Sequence, residues 1–432
     1  METMRLLDAL NAKTQEERLA ALRELKKLHD NGALPPAAAG KYVNNHIHTT
    51  YSFSPYSPTK AVYTAWMNGL VTAGIMDHDS VAGAEEFIEA GKIVGIATTV
   101  ALECRISFAD TPFCGRRLNN PDQRTVAYAG LHGIPHQNLA RVQAFMAPLR
   151  EKRNVRNRKM VENLNRLLAG KGVSLDFDRD VLPLSEAKNG GAVTERHLLY
   201  ALSRKMIEKA GTGEPLLQFL QTSFGIAPSG KNRSLLLDPE NPFCAYDLLG
   251  VLKANLVEQF YVDADEECAS IDAFIGLARE TGAIAAYAYL GDVTDSVTGD
   301  KKAQTFEDAF LDDLIPEVRR RGFQAITYSP TRNTFGQIER LHRLCEDNNL
   351  FEVSGEDINS PRQSFKNDMV LSEKYSRLVT STWALIGHEI AGTACLSDSM
   401  FSAETETRYP RMQDRVSHYY AIGIQSSETD KC

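Results

Sequence analysis

The chain has 432 residues, 43% of them hydrophobic and 24% charged, with a formal net charge of −8. That is a soluble composition, large enough for one barrel with an insertion or for two domains, and its acidic balance argues against bulk nucleic-acid binding while leaving room for a local basic groove. No stretch reaches the roughly 20 apolar residues of a membrane span, the N-terminus lacks the apolar core of a secretory signal, and no repeat of 20 to 50 residues is present.

In chain order, residues 5–30 are charged and helix-forming. With the linker Pro35-Pro36-Ala37-Ala38-Ala39 they make an N-terminal arm over 1–40. The first strand is predicted at Tyr42-Val43-Asn44-Asn45-His46-Ile47-His48. Alternate side chains of an extended segment share a face, so His46 and His48 can reach one ion while Ile47 points into a core. By itself such a pair has an ordinary alternative, two surface or hydrogen-bonded histidines. Here it has company. Ser57-Pro58 opens a helix over 59–70, and Gly74-Ile75-Met76 then runs into Asp77-His78-Asp79. After a helix over 82–93, the apolar run 95–102 meets Glu103, and the strand Thr125–Leu131 meets His132. Four predicted strands therefore each end on a metal-competent residue.

The rhythm changes beyond about 135. Residues 138–169 and 195–222 have helical periodicity and high charge, and 225–245 lacks strand character, so 135–255 reads as a helical insertion. Alternation resumes with a helix at 266–281, a strand at 283–289, a helix at 304–321, a strand at 323–328, a helix at 334–348 and a strand at 350–353 leading into Ser354-Gly355-Glu356-Asp357. Seven strand–helix units suit a closed parallel barrel, which places its chemistry at the C-terminal strand ends. The resulting plan is α/β, a distorted (β/α)7 barrel in two parts, 41–134 and 256–395, around the helical insertion. The last helix, 372–391, leads to a polar tail over 396–432. The seven cysteines (Cys104, Cys114, Cys244, Cys268, Cys345, Cys395, Cys432) are widely spaced and odd in number, and they read as reduced thiols of a cytoplasmic protein.

His46-Ile47-His48, Met76-Asp77-His78-Asp79-Ser80-Val81-Ala82-Gly83, Glu103, His132 and Gly355-Glu356-Asp357-Ile358-Asn359 together resemble the polymerase and histidinol phosphatase (PHP) superfamily of metal-dependent phosphoesterases, over about residues 41–365. Asp-His-Asp followed by Ser-Val-Ala-Gly is the most specific of these. The insertion is similar to that of the branch hydrolysing small phosphorylated nucleosides, and Thr194-Glu195-Arg196-His197-Leu198 is similar to a Thr-Arg-Pro-His segment of that branch. The resemblance implies a barrel holding two or three divalent ions. His46, His48, Glu103 and Asp357 would make the first site, complete here. Glu103 would bridge to a second with His132 and a histidine at the end of the fifth strand, where this chain has Tyr289. A third would use His78 with positions that here are Phe53 and Asn359. One site is intact, one impaired and one largely dismantled, which implies one or two ions per chain. Imidazole–carboxylate sets accept Mn, Fe and Zn alike.

Such ions acidify a bound water and neutralise charge on a phosphoryl group, which makes Glu103, Asp357 and His132 the catalytic candidates of a hydrolase of a small phosphorylated substrate, a phosphomonoester or nucleotide. A catalytically degenerate module that binds a metal or ligand is the alternative, and hydrolysis of an amide or lactone is a third. Asp77 and Asp79 would orient histidine ligands or else cap a strand-end turn. Arg332 and Arg196 are candidates for gripping phosphate, as are Lys231 and Arg233 in an insertion able to act as a lid. Each has the alternative of a solvated charge. His136 and His197 read as structural or peripheral. Arg150–Lys171 holds eight Lys and Arg against two Glu and reads as the solvated face of a long helix; it has no interleaved aromatics for single-strand stacking, so nucleic acid is not favoured.

Overall fold

The computed structural model describes residues 2–293 and 304–429. Helices α1 (Glu2–Ala9) and α2 (Gln15–Asp30) form the N-terminal arm, α2 beginning in a capping box between Thr14 and Glu17. The arm is packed down. Leu10, Leu22 and Leu25 are fully buried, and Arg18 makes a buried ion pair with Glu86.

Strands β1 (Tyr42–Ile47), β2 (Leu70–His78) and β3 (Ala97–Ser107) alternate with α3 (Pro58–Met67) and α4 (Ala84–Val94). Ser57 caps α3 by accepting from the Lys60 N–H at 3.0 Å, with Pro58 in the first turn. Strand β4 (Val126–His132) leads into α5 (Leu139–Leu168), α6 (Glu195–Ala210), α7 (Glu214–Phe224), α8 (Gly230–Leu237) and α9 (Cys244–Phe260). There follow β5 (Ala269–Ser270), α10 (Ile271–Thr281), β6 (Ile284–Ala288), α11 (Leu311–Arg320), β7 (Ala325–Tyr328), α12 (Phe335–Asp347) and β8 (Phe351–Ser354). The chain ends in α13 (Ser376–Ala394), α14 (Ala403–Arg408) and α15 (Met412–Thr429).

The sheet is curled, in the order β1-β2-β3-β4-β6-β7-β8, with β5 paired to β3. Beyond β8, Ile358 bridges to Ile47, and the His48 N–H donates to the Ile358 carbonyl at 2.9 Å, which brings the two edges together at the His-x-His segment. The expected all-parallel order fails at one strand, because β4 runs antiparallel to both β3 and β6. Period-two patterning fixes which face a side chain takes but not the strand's direction, which the loop 108–125 sets by folding straight back.

Three cores follow. The first fills the space between the sheet and its surrounding helices, and the second is built from α5–α9. The third lies where Ile284, Ala325 and Val353 meet α13 and Tyr419 of α15. The expected polar tail is therefore corrected. Through residue 429 it holds α14 and α15, and a Cβ at Gly387 or Gly423 would collide with the facing backbone, of Tyr419 or Trp383, so the close crossing of α13 and α15 depends on two glycines. Residues 430–432, including Cys432, lie outside the described set; the other six cysteines are free thiols. The helix expected from 304 starts at Leu311, since Glu307 and Asp308 instead accept from the Leu290 and Asp292 N–H groups of the loop after β6. The helix expected from 266 starts at Ile271, capped by Ser270. No helix is long and apolar enough to cross a membrane among the described residues.

Candidate metal centre

His46, His48 and Glu103 meet at the barrel end where β1, β2 and β8 finish, with one donor atom of each within 4.8 Å of the others. The two imidazoles approach at 3.1 Å between Nε2 atoms, a distance that needs a shared proton or cation to be favourable. His78, level with Glu103 in the β2–β3 register, brings Nδ1 to 3.1 Å from Glu103 Oε2. Asp357 reaches His48 Nε2 at 3.2 Å, delivered by the closure of the segment after β8 onto β1.

His132 arrives from the other direction. Because β4 is antiparallel, its C-terminal end lies below Glu103, which is level with Gly130. The ring folds back over Gly130, where a Cβ would stand 2.7 Å from its Nε2. His132 is 1% exposed and neither ring nitrogen has a hydrogen-bond partner. Two orphaned nitrogens on a buried ring are what a divalent ion would satisfy. The donor set therefore fits a divalent ion.

The electrostatics fit the same picture. Burial lowers His132 to about 3, helped by His46, and lowers His46 to about 4 against the pull of Asp357. Both rings stay neutral, the form that binds metal. Burial raises Glu103 to about 7, with His48 opposing. Burial also lowers His48 and raises Asp357, but their mutual hydrogen bond and charge outweigh it, so His48 ends above and Asp357 well below its ordinary value.

Behind His48 runs a relay from Asp77, the residue expected to orient a histidine, through Ser52, which the sequence analysis did not single out. His48 Nδ1 is 3.1 Å from Ser52 Oγ, which donates to Asp77 at 2.6 Å, and the buried Asp77 also accepts from the Thr49 N–H and hydroxyl at 2.7 and 2.6 Å. Asp77 thus orients the His48 ring through Ser52. The only signal was the hydroxyl-rich run Thr49-Thr50-Tyr51-Ser52 after the histidines. The Asp79 carboxylate goes instead into a buried ion pair with Arg153 of α5.

Of three positions named by resemblance, two turn elsewhere and one stays beside Asp357. Phe53 is buried against His197 and Tyr200 of α6, in the second core. Tyr289 donates its hydroxyl to Asp308 at 2.6 Å. Asn359 donates to Asp357 Oδ1 at 2.6 Å and so holds that carboxylate.

Among the basic candidates, Arg196 is half-buried on α6, has no ion pair or side-chain hydrogen bond among the described residues, and contributes to the depression of Asp357. Arg332 follows β7, its N–H closing a turn onto the Ser329 carbonyl. Lys231 and Arg233 are exposed on α8, Arg233 lying 3.8 Å from Glu214, and no contact among the described residues ties either to the cluster. His136 pairs with Glu389 at 2.8 Å, and His197 accepts from the Thr194 N–H to cap α6. The solvated-face reading of Arg150–Lys171 holds for Lys152, Arg158, Lys159 and Arg166, which are exposed, and is corrected at two positions. Arg153 and Arg156 are buried, held by Asp79, Glu195 and Glu267, because α5 packs this face onto the barrel.

No protein-family model matches the chain. A 5′-3′ exoribonuclease of Haemophilus influenzae is 25% identical over 163 residues, which is 35% of this chain and 55% of that protein, so the match spans about half of the curated relative's length. Among solved structures, an amidohydrolase from Chromobacterium violaceum, with sulfate and no metal bound, aligns with a TM-score of 0.48 at 18% identity over 74% of this chain and 89% of that one. A protein provisionally assigned as a metal-dependent phosphoesterase, from Bifidobacterium adolescentis, aligns at 0.48 and 19% over 79% and 97%.

Proposed function

We propose that the chain is a metal-dependent hydrolase of the PHP type, acting on a small phosphorylated substrate, a phosphomonoester or nucleotide. One observation carries the reading: His46, His48, His78, Glu103 and Asp357 lie in mutual contact at one barrel end, while both nitrogens of the buried His132, whose basicity His46 helps to lower, have no hydrogen-bond partner. These six would hold one or two ions of Mn, Fe or Zn, with Glu103 between His46 and His78. A divalent ion there supplies Lewis-acid polarisation and an acidified water for attack at neutral pH.

The chain's own residues do the rest. Ser52 and Asp77 keep His48 aimed inward, and Asn359 holds Asp357 by one oxygen, leaving the other available. The half-buried Arg196 offers a cation beside Asp357 for a substrate phosphate. A different observation favours the second reading, a binding module that has lost catalysis: Tyr289 is engaged with Asp308 and adds no donor to the cluster.

The test is elemental analysis of protein purified without chelators, then assays with Mn, Zn or Fe on phosphomonoesters, nucleotides, a 5′-phosphorylated oligoribonucleotide and acyl esters, beside the His46→Ala, Asp357→Ala double variant. Bound metal with phosphoester turnover at least about 100-fold above the variant is expected. Metal without turnover would leave the binding module, and acyl turnover alone would move the enzyme to another bond.

A further inference from the structure

We propose that Arg153 is a positioning residue for the metal centre, fixing through Asp79 the turn that aims His78 at Glu103. The inference rests on the metal-centre reading above. His78 is the last residue of β2, and Asp79 has φ +53, the left-handed region that residues other than glycine seldom adopt. When aspartate does enter it, a local hydrogen bond from its own side chain normally helps. Here the carboxylate goes instead to Arg153, 74 residues away.

Three tethers converge on this one residue. The N–H of Asp79 donates to the Glu103 carbonyl at 2.9 Å, its carbonyl accepts from Arg150 Nη1 at 2.7 Å, and its carboxylate pairs with Arg153. Two of the three come from α5, outside the barrel. A left-handed residue held from both sides cannot relax to an extended conformation, and that relaxation would swing His78 away from Glu103.

Arg153 is braced in turn. Its guanidinium lies 3.6 Å from Glu195 of α6, and Glu195 lies 3.7 Å from Arg105. Arg105 stands two residues beyond Glu103 on the same face of β3, its Nη2 donating to the Tyr128 hydroxyl at 2.9 Å. One buried network therefore backs both His78 and Glu103. Helices α5 and α6 act on the centre as a fixed brace, where the sequence suggested a lid.

The test is Co2+ titration of the purified chain, read by visible absorption, with circular dichroism confirming that each variant is folded. Arg153→Met is expected to weaken Co2+ on the order of 10–100-fold at the ion touching His78 and to change the absorption band. Arg153→Lys, which keeps the charge without the fork, is expected to fall between. In Asp79→Gly, Arg153→Met the glycine adopts the left-handed turn unaided, so most of the lost affinity returns; a purely structural role for the ion pair predicts no such rescue. A folded Arg153→Met with the affinity and spectrum of the parent would overturn the proposal, and if that variant does not fold, parental behaviour of Arg153→Lys would do the same. No Co2+ uptake by the parent itself would overturn the metal-centre reading, and this inference with it. That outcome is recognisable before any variant is made.

Discussion

Asp357, beyond β8, and Glu307, after the loop that leaves β6, are carboxylates at the same end of the barrel with opposite fates. Burial pushes both upward. Asp357 faces His48, His46 and Arg196 and ends well below the usual carboxylate range. Glu307 accepts from backbone N–H groups, lies beside the like charge of Asp308 and rises to about 7. The β1–β8 corner is thus built to keep a negative charge among metal-competent rings. The β6 corner is built to lose one. Tyr289, in hydrogen-bond contact with Asp308, belongs to this second corner.

The largest test of the contrast is pH. Glu307 is fully buried and its carboxyl is raised in the folded state, so the folded chain binds more protons than the unfolded one between about 4.5 and about 7. Stability from this group is present below the unfolded value and is lost as pH rises through 7, about 3 kcal/mol at the limit. Glu307→Gln should flatten denaturant-derived stability over that window; an unchanged pH profile would refute the assignment. A smaller effect is expected at the other corner. Ser52→Ala cuts the link from Asp77 to His48 and should weaken Mn or Zn binding on the order of 10–100-fold in calorimetric titration, while circular dichroism stays unchanged. The smallest expected effect is none. Tyr289→His should add no metal per chain by elemental analysis, because an imidazole there lies beside Asp308. A gained ion would show that only the side chain, and not the corner, separates the two sides.

Much of this was legible in residues. Apolar alternation placed β1, β2, β3, β6, β7 and β8 and put His46, His48 and Glu103 on one face. The helical periodicity of 138–169 foretold α5 but not its role, since charge counts alone made Arg153 and Arg156 solvent-facing when they are buried counter-charges for Asp79 and Glu267. The polarity of 396–429 likewise hid two packed helices, because Gly387 and Gly423 mark a close crossing only once the opposing backbone is known.

The sequence by itself determined which side chains share a face, since that depends only on local backbone period, and hence that ligand-type residues would gather at strand ends. Tertiary structure alone decided the reversed direction of β4, the delivery of Asp357 by closure onto β1, the turning away of Phe53 and Tyr289, and the bracing of Asp79 from α5. Each of these joins residues far apart in the chain, where direction and partner are chosen by packing and by the need to pair buried charge, and a local pattern carries neither.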